Sequence, residues 1–211
     1  MIARESQRLI IPMLIVAILA MFLGKLFDLG ILIVISGLAL FAMIFTLYFF
    51  RDPERIIPPD PALLVAPADG KIVEICDVDD PFVGSGRRIA IFMSLFNVHI
   101  NRAPYSGVVR QIDHKNGKFH SAFKPEAATE NEQCRITMEK DNLKIAVTQI
   151  AGFFARRIIS RVKVGQNLEK GERLGLIMFG SRVELIIPRT VKINICPGAK
   201  VKAGETVIGE M

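Results

Sequence analysis

The chain has 211 residues, 51% of them hydrophobic and 23% charged, with 27 Lys and Arg against 21 Asp and Glu for a formal net charge of +6. That apolar content excludes a disordered or purely solvating chain and leaves ample material for a core. Cys76, Cys134 and Cys196 are widely spaced and odd in number, giving neither a disulfide framework nor a zinc pattern, so reduced thiols and no metal are expected.

Residues 9–24 are apolar with Pro12 as the sole breaker, and residues 29–50 are apolar throughout, with Lys25 and Asp28 between the two runs. At about 1.5 Å per helical residue the second run reaches about 33 Å and the first about 24 Å, against a hydrocarbon core of about 30 Å. The second run is therefore the better spanning candidate. Arg4 and Arg8 precede the first run, and Arg51 and Arg55 follow the second. Positive charge at both outer ends is the pattern of a hairpin whose ends face the cytoplasm, whether it spans or is re-entrant. A cleaved signal peptide does not fit, because no small-residue cleavage site follows the first run.

Five prolines fall between Pro53 and Pro67, which makes a stiff extended connector. Beyond it come short β-rich runs, "KIVEICDV", "RIAIFMSL", "GVVRQIDH", "CRITMEK", "LKIAVTQIAG", "RIISRVKVG", "RLGLIMFG", "RVELIIP" and "VKINICPG", separated by Gly, Asp and Asn. Their spacing predicts an all-β sandwich or barrel, with one weak helix at 123–132. The expected domains are a membrane hairpin over 1–52, a connector over 53–65 and a β-rich domain over 66–211.

An internal repeat sharpens the fold. "VGQNLEKGERLG" (164–175) and "PGAKVKAGETVI" (197–208) align without gaps, matching Gly165 to Gly198, Leu168 to Val201, Gly171 to Gly204 and Glu172 to Glu205. Two units of Gly, two residues, an aliphatic, two residues and Gly-Glu resemble the half-motifs of biotinyl/lipoyl-type barrel-sandwich folds, and "APADGKIVEI" (66–75) has a related pattern. The fold class is thus mainly β, a barrel-sandwich domain behind an N-terminal helical hairpin.

Residues 155–202 carry 11 basic residues against 3 acidic ones. Behind a membrane anchor, a basic surface points to anionic lipid. Nucleic acid is disfavoured by the tether and by the shortage of aromatic residues beside the cations.

Within the apolar run "LGLIMFGSRVELIIP" (174–188), Gly180-Ser181-Arg182 is an interruption. A serine hydroxyl can attack the carbonyl of the residue before it and convert the amide to an ester, and glycine suits that donor position because nothing obstructs the approach. Loss of the Ser181 α-proton then expels the Gly180 carboxylate and leaves dehydroalanine, which hydrolyses to ammonia and a pyruvoyl group. The chain splits into 1–180 and 181–211. Gly-Ser is also a common turn pair, so the reading needs a base. His99, at the end of "FMSLFNVHINRAP", is a suitable proton carrier. His114 and His120 lie in "DHKNGKFHSAF", which reads as an exposed loop. Asp69 in "PADGK" is either a turn aspartate or the partner that fixes the His99 tautomer.

"APADGKI", "FMSLFNVHINRAP", "QIAGFFARRI", "FGSR" and the Gly-Glu repeat, in this order behind a membrane hairpin, resemble the short form of phosphatidylserine decarboxylase, a self-processing pyruvoyl enzyme. The resemblance covers the whole chain. It implies an Asp69, His99 and Ser181 self-cleavage triad, a cut between Gly180 and Ser181, and a pyruvoyl cofactor made from Ser181. The small chain would stay in the sheet, with residues 174–188 forming a strand pair whose connection is severed. Longer members have Leu-Gly-Ser-Thr at the cut and a second histidine three positions before the first, where this chain has Phe179-Gly180-Ser181-Arg182 and Phe96.

The implied substrate is phosphatidylserine, or its ether-linked archaeal analogue, and the product phosphatidylethanolamine. The ketone would condense with the head-group amine and take up the electrons released as carbon dioxide leaves. Arg156 and Arg157 would meet phosphate, and Phe153 and Phe154 the acyl chains or membrane face. Arg182 would either neutralise a carboxylate or join a salt bridge with the neighbours of Glu184. The family further implies a cell membrane location on the cytoplasmic face and a homodimer.

Two rival readings share some of these features. A membrane-tethered barrel-sandwich adaptor or carrier would have the same hairpin and repeats, but a carrier needs a lysine in an "MKM"-like hairpin tip, which this chain lacks. A serine hydrolase using Ser181 would need a Gly-x-Ser-x-Gly elbow.

Overall fold

The computed structural model describes residues 2–118, 120, 127–152, 157–178 and 181–211. The chain forms two compact units, residues 1–54 and 55–211.

The first unit is a helical hairpin of α1 (Gln7–Leu26) and α2 (Gly30–Phe49), each of 20 residues. Both reach about 30 Å, so the two are equal in span, contrary to the expectation that the first falls short. Pro12 stands inside α1 without ending it. Ala17, Ala20 and Gly24 are buried and let the helices approach, and Ser36 Oγ donates to the Ala17 carbonyl at 2.7 Å. Outward positions such as Ile18, Phe22, Ile31, Leu38 and Phe41 are apolar and exposed, which suits lipid. Ala3 N donates to Phe50 O at 2.8 Å, joining the two outer ends.

The second unit is β-rich. Its strands are β1 (Leu63–Val65), β2 (Gly70–Asp80), β3 (Gly84–Met93), β4 (Ile100–Arg102), β5 (Gly107–Lys115), β6 (Gln133–Lys140), β7 (Leu143–Ala151), β8 (Ile158–Ser160), β9 (Asn167–Leu168), β10 (Arg173–Ile177), β11 (Ser181–Pro188), β12 (Lys192–Ile193), β13 (Lys200–Val201) and β14 (Val207–Glu210), with a short helix α3 (Ala127–Glu130) before β6. Eight strands make one antiparallel sheet in the order β13-β2-β3-β11-β7-β6-β5-β9. Two three-stranded sheets, β1-β14-β12 and β4-β10-β8, complete the unit. Alternate residues of the large sheet, among them Ile89, Ile91, Val147, Val183, Leu185 and Ile187, supply one core.

The repeat seen in the sequence is a pseudo-two-fold relation. Strand β9 pairs with β5 through Asn167 opposite Val108 and Leu168 opposite Gly107, as β13 pairs with β2 through Lys200 opposite Lys71 and Val201 opposite Gly70. The four glycines of the repeat, at 165, 171, 198 and 204, share φ of 84°, 81°, 94° and 78°, a turn conformation that side chains resist. The relation carries "APADGKI" onto "APYSGVV" (103–109), sheet β1-β14 onto β4-β10, and the order β13-β2-β3-β11 onto β9-β5-β6-β7. The repeat thereby closes both ends of the large sheet with a short strand.

Several expectations change. Strands β10 and β11 do not pair with each other; they belong to different sheets, because the chain leaves the three-stranded layer and enters the large one between them. The two strands are therefore not the arms of one hairpin. "VKINICPG" and "RIISRVKVG" supply only two and three strand residues each before the chain turns away. β1 lies within the segment read as connector. Of the 123–132 helix, α3 is the described part, and residues 121–126 lie outside the described residues. His114 sits in β5 rather than in a loop.

Candidate active site

Ser181 is the first residue of β11, flanked by Met93 of β3 and Ala151 of β7. It is fully buried on the inner face with Val183, and its Oγ donates to Met93 Sδ at 3.2 Å. A thioether is a weak acceptor, so the hydroxyl is held in place without being engaged by a strong partner. Two ladders keep this strand end in register whatever becomes of the bond before it. Gly180 and Phe179 lie outside the described residues.

His99 follows β3 through a turn in which the Asn97 side chain accepts from Ser94 N at 2.9 Å and Ser94 Oγ at 2.8 Å. Its Nδ1 lies 3.0 Å from the Asn97 carbonyl. A carbonyl only accepts, so Nδ1 carries a proton and donates it there. A backbone oxygen therefore holds the His99 Nδ1 proton. The His99 carbonyl in turn accepts from Ile177 N at 3.3 Å, four residues before Ser181. Segments 93–99 and 177–181 are thus joined at both ends, by the His99 and Ile177 backbones and by Met93 and Ser181. His99 is 2% exposed, so proton traffic here is shielded from bulk water.

Asp69 is also buried. Both carboxylate oxygens accept from Arg55 Nη2 at 2.9 Å, and Oδ1 accepts from Ala203 N at 2.8 Å. Its loop is tied to β4, just beyond His99, by Arg102 N donating to Pro67 O at 2.9 Å. Arg55, read in the sequence as a flanking charge of the hairpin, is instead a buried partner of Asp69 and of Glu205 at 3.6 Å.

Adjacent strand residues point to opposite faces, so Arg182 lies on the outer side of the sheet from Ser181. Its guanidinium meets Glu184 itself at 2.8 Å and Glu74, two strands away, at 3.0 Å rather than the strand neighbours of Glu184, and these pairs take it away from the Ser181 side. Partial burial alone would raise the Glu74 carboxyl, but Arg182 and Arg88 outweigh it and hold the group below the usual carboxylate range.

Arg157 is exposed, and its carbonyl accepts from Met178 N at 3.1 Å, placing it beside the chain that leads to Ser181. Phe153, Phe154 and Arg156 lie outside the described residues. His114 and His120 pair with Glu132 and Glu130 at 3.2 and 3.0 Å in half-exposed positions.

Sequence reasoning passed over three buried residues beside Ser181. Asn101 Nδ2 donates to Met93 Sδ at 3.7 Å, the sulfur that also receives Ser181 Oγ, and Gln149 Nε2 donates to Asn101 Oδ1 at 2.7 Å. A signal was available: Gln149 shares strand parity with Ile145, Val147 and Ala151, so a polar residue occupies a core position.

A buried serine hydroxyl at a strand end, a histidine whose Nδ1 meets a backbone carbonyl and a tightly held aspartate are three buried polar groups of one β unit. Comparison with known proteins is specific: residues 42–209 match the family model described as phosphatidylserine decarboxylase. A "phosphatidylserine decarboxylase proenzyme" of Desulfotalea psychrophila is 45% identical over 84% of this chain and 85% of its own, and one of Trichlorobacter lovleyi is 46% identical over 82% and 80%. Another, of Prosthecochloris aestuarii, is 38% identical over 100% of this chain and 98% of its own. The chain belongs to the phosphatidylserine decarboxylase family.

Proposed function

We propose that this chain decarboxylates phosphatidylserine to phosphatidylethanolamine through a pyruvoyl group that it makes from its own Ser181. The observation that carries the second part is the buried Ser181 hydroxyl, held on a thioether at the start of a doubly paired strand.

Ser181 Oγ attacks the carbonyl carbon of Gly180 while His99 Nε2 takes the hydroxyl proton and delivers it to the departing amide nitrogen. The product is an ester of Gly180 with a free Ser181 amine. Removal of the Ser181 α-proton breaks the ester, Gly180 leaves as a carboxylate, and hydrolysis of the resulting dehydroalanine releases ammonia. Asp69 is assigned as the buried anion that favours the protonated imidazole, with Arg55 and Ala203 N holding it still. The group fits this place, since a strand end fixed on both sides keeps the new terminus where the serine stood. Once formed, it supplies a carbonyl for the substrate amine and a sink for the electrons left by carbon dioxide. His99 Nε2 then returns a proton to the product carbon.

Arg157, with Arg156, is assigned to the phosphodiester, and Phe153 and Phe154 to the acyl region. The apolar hairpin and the basic 155–202 segment bring the domain to anionic lipid, and Arg8 and Arg51 favour the cytoplasmic face. A homodimer is the family expectation.

Intact mass of the purified protein tests the proposal. The parent should give two chains, the smaller lighter by one ammonia than residues 181–211 as encoded, and Ser181→Ala one inactive chain. An active parent of full length would overturn it.

A further inference from the structure

We infer that Asn101 is the hydrogen-bond donor for the oxyanion formed when Ser181 attacks the preceding carbonyl, with Gln149 as the positioning residue that aims it. The inference rests on the self-cleavage reading above.

The first observation is convergence. Ser181 Oγ and Asn101 Nδ2 both donate to the same sulfur, at 3.2 and 3.7 Å, so the nucleophile and an amide donor face one point on the inner side of the sheet. The carbonyl carbon under attack is covalently bonded to the Ser181 nitrogen, in the residue next to that point. Asn101, Gln149, Met93 and Ser181 are all 0% exposed, and water is excluded from supplying the donor.

The second is energetic. A buried amide N–H resting on a thioether has exchanged water for a poor acceptor, which costs stability and leaves the donor available to a stronger one. Gln149 Nε2 occupies Asn101 Oδ1, which turns the Asn101 amino group toward Met93 and Ser181. Gln149 Oε1 itself has no hydrogen-bond partner among the described residues, a second cost at the same spot.

The third comes from the pseudo-two-fold relation. Asn101 faces Gly175 in the β4-β10 pair, and its counterpart Leu64 faces Gly209 in the β1-β14 pair. Leu64 is fully buried, so the fold is satisfied by an aliphatic side chain at this position. An asparagine there answers a need present only in the half that carries His99 and Ser181.

In the step itself, Oγ bonds to the carbonyl carbon, the carbonyl π electrons move onto its oxygen, and the Oγ proton goes to His99. Asn101 Nδ2–H stabilises that oxygen until the C–N bond breaks and the carbonyl re-forms as an ester. A donor aimed where charge develops is worth about 100- to 1000-fold in rate.

The test follows conversion of freshly synthesised full-length precursor to two chains on denaturing gels, with and without hydroxylamine to cleave accumulated ester. Asn101→Leu, copying Leu64, and Asn101→Asp, keeping the Gln149 contact, should slow splitting about 100-fold or more, and hydroxylamine should not restore it. Both should still melt cooperatively, with Asn101→Leu below uncut Ser181→Ala because it orphans the buried Gln149 amide. Splitting of either Asn101 variant within threefold of the parent overturns the inference. If the Asn101 variants fail to fold, Gln149→Leu, which removes only the group that aims Asn101, decides: slowing of about 10-fold or more upholds the inference and parental splitting overturns it. A parent that never splits sinks the pyruvoyl reading instead, which is a distinguishable failure.

Discussion

Ser106 does for the Lys170 amide what Asp69 does for the Ala203 amide: Oγ accepts from Lys170 N at 3.0 Å, and Asp69 Oδ1 from Ala203 N at 2.8 Å, at equivalent points of the two halves. A neutral hydroxyl therefore suffices to hold this turn. What Asp69 adds is a charge, which it shares with Arg55.

Asp69→Ser should separate the two roles. The turn bond can re-form as it does at Ser106, although the buried Arg55 loses its anion, so destabilisation of about 1–3 kcal/mol is expected. Self-cleavage should slow far more than that loss of stability accounts for. Melting and gel-based splitting, measured on the same preparation, give the comparison. Splitting at the parental rate would remove Asp69 from the chemistry.

Arg182 is one residue from the proposed new terminus and ties β11 to Glu74 of β2. Arg182→Gln leaves Glu184, only 9% exposed at its side chain, without its hydrogen-bonding cation and with Arg88 alone to offset its charge. A loss of about 2–3 kcal/mol is expected, below the range for fully buried pairs because Glu74 is partly solvated. The loss should be larger in the split protein than in uncut Ser181→Ala, where the chain still holds the strand end. Equal shifts in the two backgrounds would show that the ion pair does not secure the terminus.

Acid should weaken the β2–β3 turn. Burial opposes ionisation of Asp80, but Val83 N, Phe82 N and Arg135 outweigh it and hold the carboxyl below its ordinary 3.8. The folded state thus binds fewer protons than the unfolded one in this range, so stability rises with pH and is fully present above 3.8. It is lost as pH falls through the lower folded value. Thermal melts from pH 6 to 3 should fall more steeply for the parent than for Asp80→Asn, which is less stable at neutral pH. Parallel curves would count against this assignment.

The thiols should separate by reactivity. Burial, then the Asp113 and Glu132 carboxylates, push the Cys134 thiol up to about 11, whereas Cys196 is exposed. Alkylation of native protein at pH 8 should label Cys196 and spare Cys134 until unfolding. Early labelling of Cys134 would mean that β6 opens readily.

Much of the architecture was legible because it depends on local pattern. Two apolar helical runs, alternating strands and a gapless Gly-Glu repeat are statements about side-chain order and backbone freedom, which a linear chain displays directly, although the equal length of the two helices was not legible. The order of Asp69, His99 and Ser181 was equally visible. Pairing across the sheet was not, since β2 meets β13 from the far end of the chain, and no local signal says which strands become neighbours.

The sequence by itself determined an apolar helical hairpin, a β domain with twin turns, and the chain order of Asp69, His99 and a Gly-Ser bond, because these rest on composition and spacing. Tertiary structure alone decided that β10 and β11 part into different sheets, that the Asn97 carbonyl holds the His99 Nδ1 proton, that Arg55 and Arg182 are spent on ion pairs, and that Asn101 and Gln149 converge on Ser181. Those are outcomes of long-range packing, in which residues far apart in the chain compete for the same buried partners.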